Sequence, residues 1–84
     1  SLSSERIRTL LVELDKELKS TGEIDQETRE LLSKLNDDLD EIAAGSQDTL
    51  SDSARELESR FAATHPVAER ITREIADLLA KMGI

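Results

Sequence analysis

FAATHPVAERITREIADLLAKMGI, residues 61–84, holds a helix break, a full helix and a helix stop in one run. Pro66 is the only proline of the chain. A proline pushes the residue before it out of the helical region, so His65 is expected to interrupt the pattern. Pro66 then suits the first position of a new helix. From there Val67, Ile71, Ile75, Leu78 and Met82 recur three and four apart, which sets them on one helical face. Gly83 stands where a left-handed stop is wanted, and Ile84 is placed to fold back onto Leu79. The rival reading is a single long helix kinked at Pro66, because the apolar period resumes at once. The break is favoured.

Three more stripes precede this one. They are Ile7, Leu11, Leu14, Leu18; Leu32, Leu35, Leu39, Ile42; and Leu50, Ala54, Leu57, Phe61. The first helix should run from Ser4 to Ser20, with Ser3 or Ser4 as cap, Glu5 in its first turn and Gly22 after its end. The second should begin after Asp25, a good N-cap, and reach about Ala44 before Gly45. The segment 46–48 reads as a loop. Thr49 with Asp52, and Ser53 with Glu56, offer capping-box spacing for the third helix, which should reach Ala63 or Thr64. The short link around Gly22 favours an antiparallel helix hairpin. Asp15–Lys19, Glu30–Lys34, Glu56–Arg60, Glu69–Arg73 and Asp77–Lys81 are acid-then-base pairs four apart, the favourable order on a helix. The expected fold is therefore all-α, one domain over residues 1–84. Its architecture is an antiparallel bundle of four helices, with the third and fourth the candidates for one helix kinked at Pro66. Ser1 and Leu2, standing in place of an initiator methionine, are candidates for cloning leftovers.

Composition removes several functions. Ordering 84 residues costs on the order of 125 kcal/mol at roughly 1.5 kcal/mol each. Matching this needs roughly 5,000 Å² of apolar burial at about 25 cal/mol per Å². A 9.3 kDa chain has about that much to bury, so a partner covering more apolar surface would tip the balance. Self-association, most simply as a homodimer, is the expectation. Aromatic residues amount to 1 %, which argues against base-stacking platforms and aromatic ligand cages. A formal net charge of -8 opposes phosphate backbones and anionic lipid, so neither nucleic acid nor a membrane surface is an expected partner. No apolar run approaches the ~20 residues of a membrane span. The absence of cysteine excludes disulfides, thiolate metal sites and cysteine nucleophiles, and it fits a reducing compartment.

Candidates for chemistry are few. His65 is the only histidine, with Glu69 four residues on as a carboxylate that could reach it. Between Phe61 and Pro66, at a helix start, it is read as a structural cap and corner rather than a general base. Asp37, Asp38, Asp40 and Glu41 form the densest acidic run. It lacks the turn glycine of a calcium loop, and no Glu-x-x-His motif exists, since Ala62 stands three residues before His65. That run is read as a solvated face, or as a docking surface for a basic partner. Arg55, Arg60, Arg70 and Arg73 are interleaved with acids and make no continuous basic face. No catalytic, cofactor-binding or metal-binding residue is assigned, and no cofactor is expected.

The chain also resembles a small bacterial family of uncharacterised proteins, domain-of-unknown-function family 4404. The likeness spans most of the chain. It rests on Leu10-Leu11 with Leu14 and Glu17-Leu18, and on Asp25, Glu27, Arg29 and Leu31-Leu32. Phe61, His65-Pro66 and the final Gly83-Ile84 complete it. The His-Pro corner and the Gly-Ile ending are its more specific parts. The resemblance implies a compact helical protein of the bacterial cytoplasm, with no known activity, cofactor or catalytic residue. The residues thus point to a non-enzymatic interaction or scaffold module that self-associates. Leu10, Leu31 and Leu79, beside the stripes, are the candidate intermolecular surface. The alternative is an acidic regulator that binds a basic partner through Asp37–Glu41.

Overall fold

The computed structural model describes residues 2–22, 24–42 and 50–84, with Glu41 and Ile42 described in their backbone alone. Four helices are present: α1 (Leu2–Thr21), α2 (Gln26–Ile42), α3 (Leu50–Phe61) and α4 (Pro66–Lys81). There is no strand among the described residues. The expected stop at Gly45, the loop at 46–48, the Thr49 cap and the side chains of Ile42 and Glu41 lie outside the described residues.

Local chemistry sets the helix ends. At the end of α1, Gly22 adopts φ 68°, and its N–H donates to the Leu18 carbonyl at 3.1 Å. This single bond satisfies a carbonyl the last turn would leave open. Asp25 caps α2 by accepting the Thr28 N–H at 2.8 Å. A hydrogen bond from the Thr28 side chain, then this backbone bond and in lesser part the Arg60 charge hold the Asp25 carboxyl below its usual range. At the end of α4, Gly83 adopts φ 77°, its N–H bonds the Ala80 carbonyl at 3.1 Å, and the Ile84 N–H bonds the Leu79 carbonyl at 3.0 Å. This is the fold-back onto Leu79 that the Gly-Ile ending implies. The Ile84 carbonyl in turn accepts the Ser51 N–H at 2.8 Å, tying the end of α4 to the first turn of α3.

The kinked-helix alternative does not form. α3 stops at Phe61, two or three residues short of the expected end, where the Phe61 carbonyl accepts the N–H groups of both Thr64 and His65. His65 leaves the helical region at φ -147°, ψ 84°, and Pro66 opens α4.

The stripes pack into one core of Ile7, Leu10, Leu11, Leu14, Leu18, Leu32, Leu35, Leu39, Leu50, Ala54, Leu57, Phe61, Ala68, Ile75, Ala76 and Leu79. The first and third stripes are buried as expected. The fourth is rotated. Val67 is exposed, and Ile71, Leu78 and Met82 are half-buried, while Ala68, Thr72, Ala76 and Leu79 take the core face. The reason is that α4 serves two neighbours, α3 and α1, so its buried arc lies between them. Small side chains at Ala54, Ala68, Thr72 and Ala76 let the helices approach closely, and backbone approach is tightest between α3 and α4. The Thr72 hydroxyl is satisfied inside the core by donating to the Ala68 carbonyl at 2.7 Å.

All four seams are bridged by an arginine–carboxylate pair. Arg8 meets Asp40 across α1–α2 at 2.6 Å, and Arg60 meets Glu27 across α2–α3 at 2.7 Å. Arg55 meets Asp77 across α3–α4 at 2.8 Å, and Arg6 meets Glu74 across α1–α4 at 3.1 Å. Across α1–α2 and α2–α3 the pairs join the start of one helix to the end of the other, as antiparallel packing requires. Exposed pairs contribute only about 0.2–1 kcal/mol each. Their larger effect is to select one helix order and register over others. They also redirect the expected pairs four apart. Asp15–Lys19 and Glu69–Arg73 form at 2.9 and 3.6 Å, but Arg60 and Asp77 turn to neighbouring helices.

Candidate functional site

The His65 corner is built by the break between α3 and α4. The imidazole is 8 % exposed and stands edge-on to Phe61, with ring centroids 6.4 Å apart and planes at 75°. Its Nδ1 accepts the Ala68 N–H at 3.3 Å, capping α4. That acceptor role places the neutral ring's proton on Nε2. Nε2 has no hydrogen-bond partner among the described residues; Glu17 Oε1 of α1 lies 3.9 Å away. Glu69 does not serve His65. It lies against Glu58 across the α3–α4 seam instead. The ring therefore spends its basic nitrogen on the backbone and its faces on packing.

The Glu58–Glu69 contact gave no signal in the sequence, because eleven residues and a helix break separate the two. Both carboxyl groups are half-buried, with Arg55 3.2 Å from Glu58 and Arg73 3.6 Å from Glu69. The hydrogen bond with Glu58 and then burial push the Glu69 carboxyl above its usual range, against the opposing pull of Arg73. A carboxyl raised in the folded state contributes stability that is present at low pH and lost as pH rises through its folded value. Glu69→Gln is thus expected to raise the midpoint of urea unfolding at neutral pH, with the gain fading as pH falls through the raised folded value and gone by about pH 4. Unfolding curves across that range check it; equal gains at every pH would contradict a Glu69 carboxyl raised in the folded state.

Two members of the acidic run are engaged by basic side chains. Asp40 turns to Arg8 on α1, while Asp38 is half-buried and 3.1 Å from Lys34 on its own helix. Asp37 is exposed, and the Glu41 side chain lies outside the described residues. No group of three or more potential metal-ligating side chains occurs among the described residues. The proposed leucine surface needs correction. Leu10 is 1 % exposed and Leu79 0 %, so both belong to this chain's own core, and only Leu31 keeps part of its surface open. They pack inward because α1 and α4 are neighbours, which widens the buried arc of each beyond its stripe.

Surface depressions occur on both sides of α1 among the described residues. One, of about 400 Å³ between α1 and α4, alternates Arg6, Arg70 and Arg73 with Glu13, Glu74 and Asp77, and so offers no single sign of charge. Another, of about 500 Å³, lies between α1 and α2 and is lined by Arg8, Leu11, Val12, Asp15 and Asn36. These two helices approach less closely than the other neighbouring pairs. Val12 stands 55 % exposed at this groove, beside the buried Leu11. Val12 gives no signal in the sequence, because it lies off its own helix's stripe of Ile7, Leu11, Leu14 and Leu18.

No helix among the described residues is long and apolar enough to cross a membrane. The model of a protein family described as a domain of unknown function, DUF4404, matches residues 7–84. No curated protein and no solved structure matches the chain.

Proposed function

The chain belongs to the DUF4404 family, and from that premise we propose that it is a non-enzymatic helical interaction or scaffold module of the bacterial cytoplasm that self-associates as a dimer. One observation carries the reading: the loosest seam of the bundle, α1–α2, is a groove with an exposed valine beside the core. An apolar patch rimmed by polar residues is the kind of surface a partner covers, and here Val12 with Leu11 is framed by Arg8, Asp15 and Asn36. Non-enzymatic character is supported by the use of His65, whose Nδ1 is committed to capping α4. The alternative, an acidic regulator docking a basic partner on Asp37, Asp38, Asp40 and Glu41, has less support. Asp38 and Asp40 are already engaged by Lys34 and Arg8.

Sedimentation equilibrium tests the reading. The parent chain is expected to be dimeric at micromolar concentration. Val12→Glu is expected to be monomeric with its unfolding free energy changed by no more than about 0.5 kcal/mol, as for an exposed site. A parent chain that stays monomeric throughout would refute self-association.

A further inference from the structure

We propose that α1 pairs antiparallel with α1 of a second copy about a two-fold axis at Val12, each chain closing the other's α1–α2 groove. This rests on the self-association reading and names its surface and register.

Glu5, Arg8, Val12, Asp15 and Lys19 are spaced three and four apart, so they form one stripe along α1. The stripe lies away from the buried face of Ile7, Leu10, Leu14 and Leu18, and all five residues are exposed. Its signs run negative, positive, neutral, negative, positive. Reversing the order gives the complementary sequence. Glu5 and Lys19 each stand seven residues from Val12, so an antiparallel partner centred there sets Glu5 of one copy against Lys19 of the other. Arg8 of one copy likewise falls near Asp15 of the other, and the two valines meet at the axis. A parallel pairing would set every charge against its like. A two-fold interface must be self-complementary in this way, with residue i meeting j and j meeting i. Arg8 and Asp15 already pair within the chain, with Asp40 and Lys19, but each side chain remains more than half exposed and can share its charge with a second copy.

The test uses sedimentation velocity on the parent chain, Glu5→Lys, Lys19→Glu and their equimolar mixture, with thermal melts to show that each is folded. Each single change turns two attractive contacts into repulsive ones and should weaken the dimer by about tenfold. The mixture should restore it, because the Glu5→Lys chain then meets glutamates at both positions of its partner. Val12→Cys, in a chain without cysteine, should give a disulfide-linked dimer under mild oxidation. A parent dimer insensitive to both charge changes, or one whose Val12→Cys form stays unlinked, overturns this surface while leaving self-association standing. A monomeric parent chain overturns both.

Discussion

Leu79→Ala is expected to cost about 2–5 kcal/mol of unfolding free energy and to leave much of the protein unfolded at physiological temperature. The loss combines the transfer free energy of the deleted carbons with the void they leave, since close-packed surroundings collapse only partly. Leu79 is fully buried in the common core, one turn beyond Ile75 and beside the tight α3–α4 approach. Leu10→Ala should behave alike from the α1 side. Urea unfolding followed by far-ultraviolet circular dichroism measures both, with the slope unchanged and the midpoint lowered. An interface leucine would behave differently. Its loss would disperse a dimer and remove the dependence of the midpoint on protein concentration, leaving the dilute chain as stable as before. A concentration-dependent effect confined to the dimer would return Leu10 and Leu79 to the surface role their spacing suggested.

His65→Ala is expected to cost about 2–3 kcal/mol: roughly 1 kcal/mol for the lost cap on α4 and the rest for the buried ring beside Phe61. His65→Asn keeps a side-chain acceptor for the Ala68 N–H and should recover the cap's share but not the ring's. Glu17→Gln should change little, because 3.9 Å is too long for a hydrogen bond to Nε2. Thermal unfolding of the three variants at one pH orders them. Equal stability of His65→Ala and the parent would show that the corner is held without the imidazole.

The helices were legible because their determinants are local. The apolar spacing of Ile7 to Leu18 and Leu50 to Phe61, the Asp25 cap and the stops at Gly22 and Gly83 each act within a few residues. The His65–Pro66 break was legible for the same reason, since the clash of a proline with its predecessor is local geometry. Legibility failed where a side chain had two helices to answer to. The period in α4 pointed to Val67 and Leu78, but Ala68, Thr72 and Ala76 were buried because small groups permit close approach. Hydrophobicity ranks alanine and threonine low, so spacing alone misses such a seam.

The candidate site followed the same division. His65 as a cap could be inferred from its place before Pro66, whereas Glu17 as its neighbour could not. Nor could Glu58 against Glu69, or the turn of Arg60 and Asp77 away from partners on their own helices. The chain's order of residues, read alone, settled the helix ends at Gly22, Asp25, the His65–Pro66 break and Gly83, because backbone hydrogen bonding and caps are satisfied within one or two turns. Which faces are buried, which seam stays open and which charges meet was settled by packing. Those outcomes depend on how closely whole helices approach, and that distance is a property of two surfaces together, not of either one.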